Sequence, residues 1–153
     1  MASTEPRGSR RALLGVNTLI ALHDAQHVHH DLASNWFVEN AGHGWASCPP
    51  TQNGCVRILS QPGYTNPMPL PLAQALQLLK RSCSAKVHAF WPDDFSVLDE
   101  SRMHHAHMHG HRQLTDLYLL ALAVKHGGRF VTFDAKVPLS AVHGARREHL
   151  VSL

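Results

Sequence analysis

No apolar run in this chain approaches the length needed to cross a bilayer, which excludes a spanning helix, and no internal repeat appears. Cysteine is sparse. Cys48, Cys55 and Cys83 are an odd number without the close spacing of a metal-binding pair, so they read as reduced core thiols in a reducing compartment. Charge is also scarce: 16% of residues are charged against 44% hydrophobic, a balance that excludes disorder and implies a globular core. At 153 residues the chain suits one domain and is too short for two ordinary ones. A net charge of +3 and a pI near 9.0 permit a nucleic-acid partner without demanding one. What the chain has in excess is histidine, fourteen residues whose charge depends on pH near neutrality.

Residues 1–10 are polar, contain Gly and Pro, and read as a flexible leader; residues 11–153 read as the single domain. The segment "SRRALLGVNTLIALHD" superficially resembles a secretory or twin-arginine export signal. Asn17 and Thr18 interrupt its apolar stretch, however, and His23-Asp24 stands where small residues should precede a cleavage site. The expectation is a protein that stays in the cytoplasm, with no membrane partner.

Periodicity supplies the elements. Residues 11–14 read as a short strand that turns at Gly15 into a helix near Asn17. A second helix is expected over 29–40, where Val28, Leu32 and Trp36, with Ala33 and Phe37 alongside, form an amphipathic stripe. A buried strand follows over 45–48, then Pro-Pro and a helix from about Thr51, since proline fits a helix entry. "QPGYTNPMPLP" is a loop by composition. Leu72, Leu76, Leu79 and Cys83 share a face of the next helix, and "VHAFWPDD" is a strand ending at Trp91-Pro92. After a His-rich connection, residues 113–126 form a helix that is apolar all round, hence deeply buried, and that stops at Gly127-Gly128. "RFVTF" and "HLVSL" are the last strands. Strands alternating with helices imply an α/β fold, a three-layer α/β/α sandwich around a mostly parallel sheet.

In such a sheet, ligands bind outside the carboxyl ends of the strands. Gly15, Gln52, Asp116 and Asp134 all map there. A helix start favours Asp116 as a carboxylate, and two carboxylates in one crevice repel unless a cation lies between them. Hard oxygen donors with no thiolate nearby select Mg2+ or Mn2+. Each residue also has an ordinary reading: Asp116 as a helix-start acid, Asp134 as a turn former, Asn17 and Gln52 as cap or first-turn residues.

Other signals are weaker. In "MHHAHMHGH", His107 and His111 could share a helix face and bind a transition metal, although the segment reads more simply as a solvated connection. Asp93 and Asp94 are adjacent, so they point to opposite faces of a strand and do not both reach one metal. Arg57 and Arg112 are candidates for phosphate contact, and Arg146-Arg147 reads as a solvated turn.

"LLGVNTLIALHD", "GWASCPPTQNGCVRILSQP", "HAFWPDDFSVLD", "GHRQLTDLYLLALAVKHGGRFVTFD" and the closing "LVSL" resemble the successive motifs of VapC-type PIN-domain proteins, the ribonuclease toxins of bacterial type II toxin–antitoxin pairs. The segment from His111 to Asp134 is the most specific part. The resemblance implies a metal-dependent endoribonuclease with RNA as substrate, a VapB-like antitoxin as partner and a homodimer as assembly. It matches Asp116 to the acid of the "TD" motif, Asp134 to that of "TFD", Thr132 to the hydroxyl residue before it, and Asn17 to the polar residue after the first catalytic aspartate. That first aspartate is replaced by Gly15, and Gln52 stands where glutamate is frequent.

By this resemblance Asp116 and the absent acid would be the main ligands of Mg2+ or Mn2+. Asp134 would bind a second ion or orient water, and Asn17, Gln52 and Thr132 would adjust these groups or touch phosphate. The chain is therefore expected to be catalytically impaired. Two alternatives stand beside it: a non-catalytic PIN-fold module that binds antitoxin or RNA, and a His-rich transition-metal binder.

Overall fold

The computed structural model describes residues 10–64 and 70–153. The leader reading of residues 1–9, and the loop reading where it covers 65–69, fall outside the described residues.

Five short strands form one sheet: β1 (Ala12–Leu14), β2 (Trp45–Ser47), β3 (His88–Phe90), β4 (Arg129–Thr132) and β5 (Leu150–Ser152). Their order is β3-β2-β1-β4-β5, and every neighbouring pair is parallel. The helices are α1 (Val16–His23), α2 (His30–Asn40), α3 (Pro49–Leu59), α4 (Leu72–Cys83) and α5 (Leu114–Lys125). Side chains alternate across β1 as a strand demands. Ala12 and Leu14 join Ile20, Cys55, Leu59 and Leu79 on one face. Leu13 joins Phe130 and the buried residues of α5 on the other.

This layering explains why α5 is apolar all round. Its buried residues Leu117, Leu119, Leu120 and Leu122 pack in one cluster with the sheet and with Met103, Val137 and Val142. Met103 and Val142 themselves meet in an antiparallel bridge, so the connection before α5 and the segment after β4 pair with each other. The helix ends as its glycines foretell. Gly127 adopts φ +65, and the Gly127 and Gly128 N–H groups donate to the carbonyls of Val124 (3.1 Å) and Ala123 (2.8 Å).

Several boundaries differ from the expectation. Helix α3 starts at Pro49, ahead of Thr51, because the Thr51 hydroxyl accepts the Cys48 N–H at 3.0 Å and the prolines fill a turn that needs no donors. Strand β4 stops at Thr132, short of Phe133. The expected stripe on the second helix is not buried. Val28 precedes α2 and is 86% exposed, Leu32 is 47% exposed, and only Ala33 is fully enclosed, with Trp36 and Phe37 half-buried. Helix α2 lies on the outside of the α1–α3 layer, so its apolar spacing finds a partner on one edge alone. Leu72 and Leu76 of α4 are likewise exposed, lining a groove of about 700 Å³ between α3 and α4.

The export-like stretch is structural. Its apolar part becomes β1 and α1, and Arg11 Nη1 donates to the carbonyls of Trp45 (3.1 Å) and Val87 (2.7 Å). No helix among the described residues is long and apolar enough to cross a membrane. Cys48, Cys55 and Cys83 are unpaired thiols. Burial raises all three, Cys55 to about 12, which keeps it protonated and unreactive.

Strand order locates the functional crevice. The chain runs outward from β1 through β2 to β3, then returns to the other side of β1 for β4 and β5. The direction of travel reverses between β1 and β4, which is where ligands settle in open parallel sheets.

Candidate active site

At the carboxyl end of β1, Gly15 caps α1 and donates its N–H to the Val131 carbonyl of β4 at 3.0 Å. Its backbone (φ −65, ψ 165) is open to any residue. Space is tighter: a Cβ here would lie 3.1 Å from the Val131 oxygen and 3.2 Å from Phe130 Cε1. Thr18 on the same helix also reaches Val131, its hydroxyl donating at 3.3 Å. Gly15 and the end of β4 therefore share one seam.

The end of β4 is a tightly bonded turn. Thr132 is buried, and its Oγ1 accepts the Asp134 N–H at 3.1 Å. Asp134 Oδ1 accepts the Lys136 N–H at 2.8 Å, the local bond that makes aspartate a turn former. The Ser152 hydroxyl of β5 donates to the Asp134 carbonyl at 3.3 Å. From the other side, the Gln113 amide, one residue ahead of α5, donates to the Lys136 carbonyl at 3.1 Å.

Asp116 lies in the first turn of α5, half-buried. Desolvation pushes its carboxyl above the usual range, and the charge of Asp134 pushes it further. The helix dipole favours the carboxylate at this position, yet burial and the like charge outweigh it. Asp134, from the turn after β4, thus acts on Asp116 across the crevice. That repulsion is what a divalent cation relieves.

The remaining expected residues distribute as follows. Asn17 is exposed in the first turn of α1. Gln52 turns toward β2, where its amide donates to Ser47 Oγ at 2.9 Å; Ser47 Oγ in turn bonds His88 Nε2 at 2.7 Å. Arg57 and Arg112 are exposed. Asp93 accepts the Tyr118 hydroxyl at 2.5 Å, while Asp94 pairs with Lys125, so the adjacent acids serve different partners.

The histidine expectation needs correction. His107 and His111 do not share a helix face, because they lie in separate 3-10 turns, His105–His107 and His111–Gln113. The His107 ring packs on His104 at 3.8 Å between centroids, and His104 stacks on His143 at 5.1 Å. Pairing of this segment with the chain after β4 overrides the local helical spacing.

Among the described residues, no group of three or more His, Cys, Asp or Glu side chains is arranged to hold an ion. Asp116 and Asp134 offer hard oxygen donors, and Mg2+ is commonly held by one or two carboxylates with the rest water or phosphate. The pair fits such an ion as an incomplete set, short of the oxygen that an acid at Gly15 would bring.

Sequence reasoning missed Gln113, Ser152 and Gly54. The first two carry no motif, being ordinary polar residues made useful by tertiary contact. Gly54 did leave a signal, a glycine inside a helix. It lets α3 approach α1: a Cβ there would lie 2.8 Å from Val16 Cγ2.

Residues 13–142 match the model of the PIN domain family. Ribonuclease VapC44 of Mycobacterium tuberculosis (strain H37Rv) is 49% identical over 143 residues, covering 94% of this chain and 99% of that protein. The chain belongs to the VapC-type PIN-domain family. Ribonuclease VapC39 of the same organism and strain is 43% identical, covering 87% of this chain and 95% of its own. Ribonuclease VapC38, also from that strain, is 41% identical, covering 82% and 86%. The PIN-domain match spans Gly15, Asn17, Gln52, Asp116, Thr132 and Asp134. The three-layer α/β/α architecture expected from the sequence is the one found.

Proposed function

We propose that this chain is a VapC-like toxin with the architecture of a divalent-metal-dependent endoribonuclease, impaired because Gly15 replaces the first catalytic aspartate. The observation that carries the reading is the approach of Asp134 to the half-buried Asp116, whose carboxyl it raises further, in the crevice between β1 and β4. Names of the similar proteins agree with a ribonuclease, and PIN-domain ribonucleases generally depend on divalent metals.

When bound, Mg2+ or Mn2+ supplies positive charge that makes a water more acidic and offsets charge on the phosphodiester undergoing attack. Asp116 is the principal carboxylate for that ion. Asp134, with Oδ1 occupied by the Lys136 N–H, keeps Oδ2 for a second ion or for orienting water. Thr132 fixes the Asp134 backbone. Exposed Asn17 at the start of α1 is available to phosphate. Gln52 acts at one remove, through Ser47 at the end of β2. Substrate is RNA; the partners are a VapB-like antitoxin and a second copy of the chain, in the cytoplasm.

A second reading is favoured by Gly15 itself, which contributes no side-chain oxygen: a non-catalytic PIN-fold module that binds antitoxin or RNA without cutting. Reversion separates the two. Gly15→Asp should gain Mn2+- or Mg2+-dependent RNA cleavage and toxicity on expression, with Gly15→Ala as the control for the close contact to Val131 and Phe130. A folded Gly15→Asp protein that leaves RNA intact decides for the binding module. Cleavage by the unaltered chain, unchanged by Asp116→Asn, sinks the proposed site.

A further inference from the structure

We propose that His27, His29 and Phe133 form a stacking ladder that holds an unpaired base of single-stranded RNA beside the Asp116–Asp134 crevice; this rests on the ribonuclease reading above. The His29 and Phe133 rings are stacked, with centroids 4.8 Å apart and planes 29° from parallel. His27 continues the series, 5.8 Å from His29 and tilted by 46°. The His29 N–H donates to His27 Nδ1 at 3.0 Å, which sets the position of one ring against the backbone of the next.

Placement gives the ladder its meaning. Phe133 stands between Thr132 and Asp134, so its ring belongs to the turn that carries a catalytic carboxylate. His27 and His29 come from the connection between α1 and α2, a distant part of the chain. Interior packing does not account for the set, because His29 is exposed and His27 and Phe133 are only half-buried. Val28 beside them is almost fully exposed and extends the apolar rim. Aromatic faces in series next to a phosphodiester-cutting centre suit unstacked bases, which every nucleotide of a single strand can offer. Burial first, and the neighbouring His29, hold the His27 imidazole below its usual range, with Asp24 opposing. A neutral ring there favours stacking over phosphate pairing.

The test uses the unaltered chain, whose Gly15 protects the probe from cleavage. Fluorescence anisotropy of a short fluorescein-labelled single-stranded RNA is compared for the parent, His29→Ala, His29→Tyr, His29→Lys and Phe133→Leu proteins. His29→Ala and Phe133→Leu should weaken binding about 5- to 150-fold, the range expected for loss of one base-stacking ring. His29→Tyr should restore it, His29→Lys should not, and an unlabelled duplex of the same sequence should compete poorly. Parent-like binding by His29→Ala, or rescue by lysine as good as by tyrosine, overturns the ladder and leaves the ribonuclease reading standing. If the parent binds no RNA yet Gly15→Asp cleaves it, the ladder alone falls; if neither binds nor cleaves, both fall.

Discussion

Gln113 Nε2 donates to the Lys136 carbonyl at 3.1 Å, which ties the entry of α5 to the turn that carries Asp134. Asp116 lies three positions further along that helical entry. A side chain that is itself no acid thus links the two segments that carry the carboxylates.

Gln113→Leu removes that tie. The bond is exposed, so the expected stability loss is small, at most about 0.5–1.5 kcal/mol. The larger effect falls on ion binding: free Mn2+ followed by electron paramagnetic resonance should show weaker uptake than by the parent. Equal uptake by the two proteins would mean that the crevice keeps its shape without Gln113.

Asp116 predicts a pH dependence of stability. Its folded carboxyl is raised by burial and then by Asp134, so the folded state binds the proton more tightly than the unfolded chain does. Stability from this group is fully present below the ordinary carboxylate range and is lost as pH rises through the raised folded value. Asp116→Asn should consequently melt higher than the parent at neutral pH without metal, with the margin closing on acidification. Added Mg2+ should raise the parent's Tm and leave that of Asp116→Asn nearly unchanged. Scanning calorimetry at several pH values reads both effects, and a lower Tm for Asp116→Asn at neutral pH would contradict the sign.

Gly54→Ala should destabilise by about 1–3 kcal/mol, since the new methyl would lie 2.8 Å from a stiff Val16 side chain at the α1–α3 contact. Combining it with Val16→Ala should recover part of the loss beyond additivity. Urea unfolding of the four proteins in the cycle gives the coupling, and simple addition of the two effects would show that the helices do not meet there.

Ser47→Ala should cost about 1–3 kcal/mol, because Ser47 is fully buried and its hydroxyl links Gln52 to His88. The measurement is again chemical unfolding, with Gln52→Ala alongside. A Ser47→Ala protein as stable as the parent would indicate that both partners find replacements.

Much of this architecture was legible in the residues. Residues 11–14 read as a short strand, and the unstriped helix ahead of Gly127-Gly128 reads as deeply buried; both are found so. Strand and helix order place Asp116 and Asp134 at the carboxyl edge of the sheet, where the charge of Asp134 acts on Asp116. What escaped depended on partners far along the chain. The spacing of Val28, Leu32 and Trp36 is locally helical, but nothing local says that α2 lies outermost. The histidine segment reads mainly as a solvated connection; that His107 and His111 fall in separate 3-10 turns, beside the Met103–Val142 bridge, is not legible locally. Gln52 maps to the carboxyl end of β2, but its amide bond to Ser47, made only once α3 docks on β2, is not legible locally.

The central place of β1 carries a consequence for synthesis. One of its neighbours, β2, is translated soon after it; the other, β4, and the helix that covers Leu13 emerge from the ribosome only near the end. A nascent chain thus carries half a sheet with an open flank until its last third is released, and non-local parallel pairing closes slowly. Asp134 is made late and takes its place only when that flank closes, so no ribosome-bound fragment lacking β4 possesses the crevice between β1 and β4.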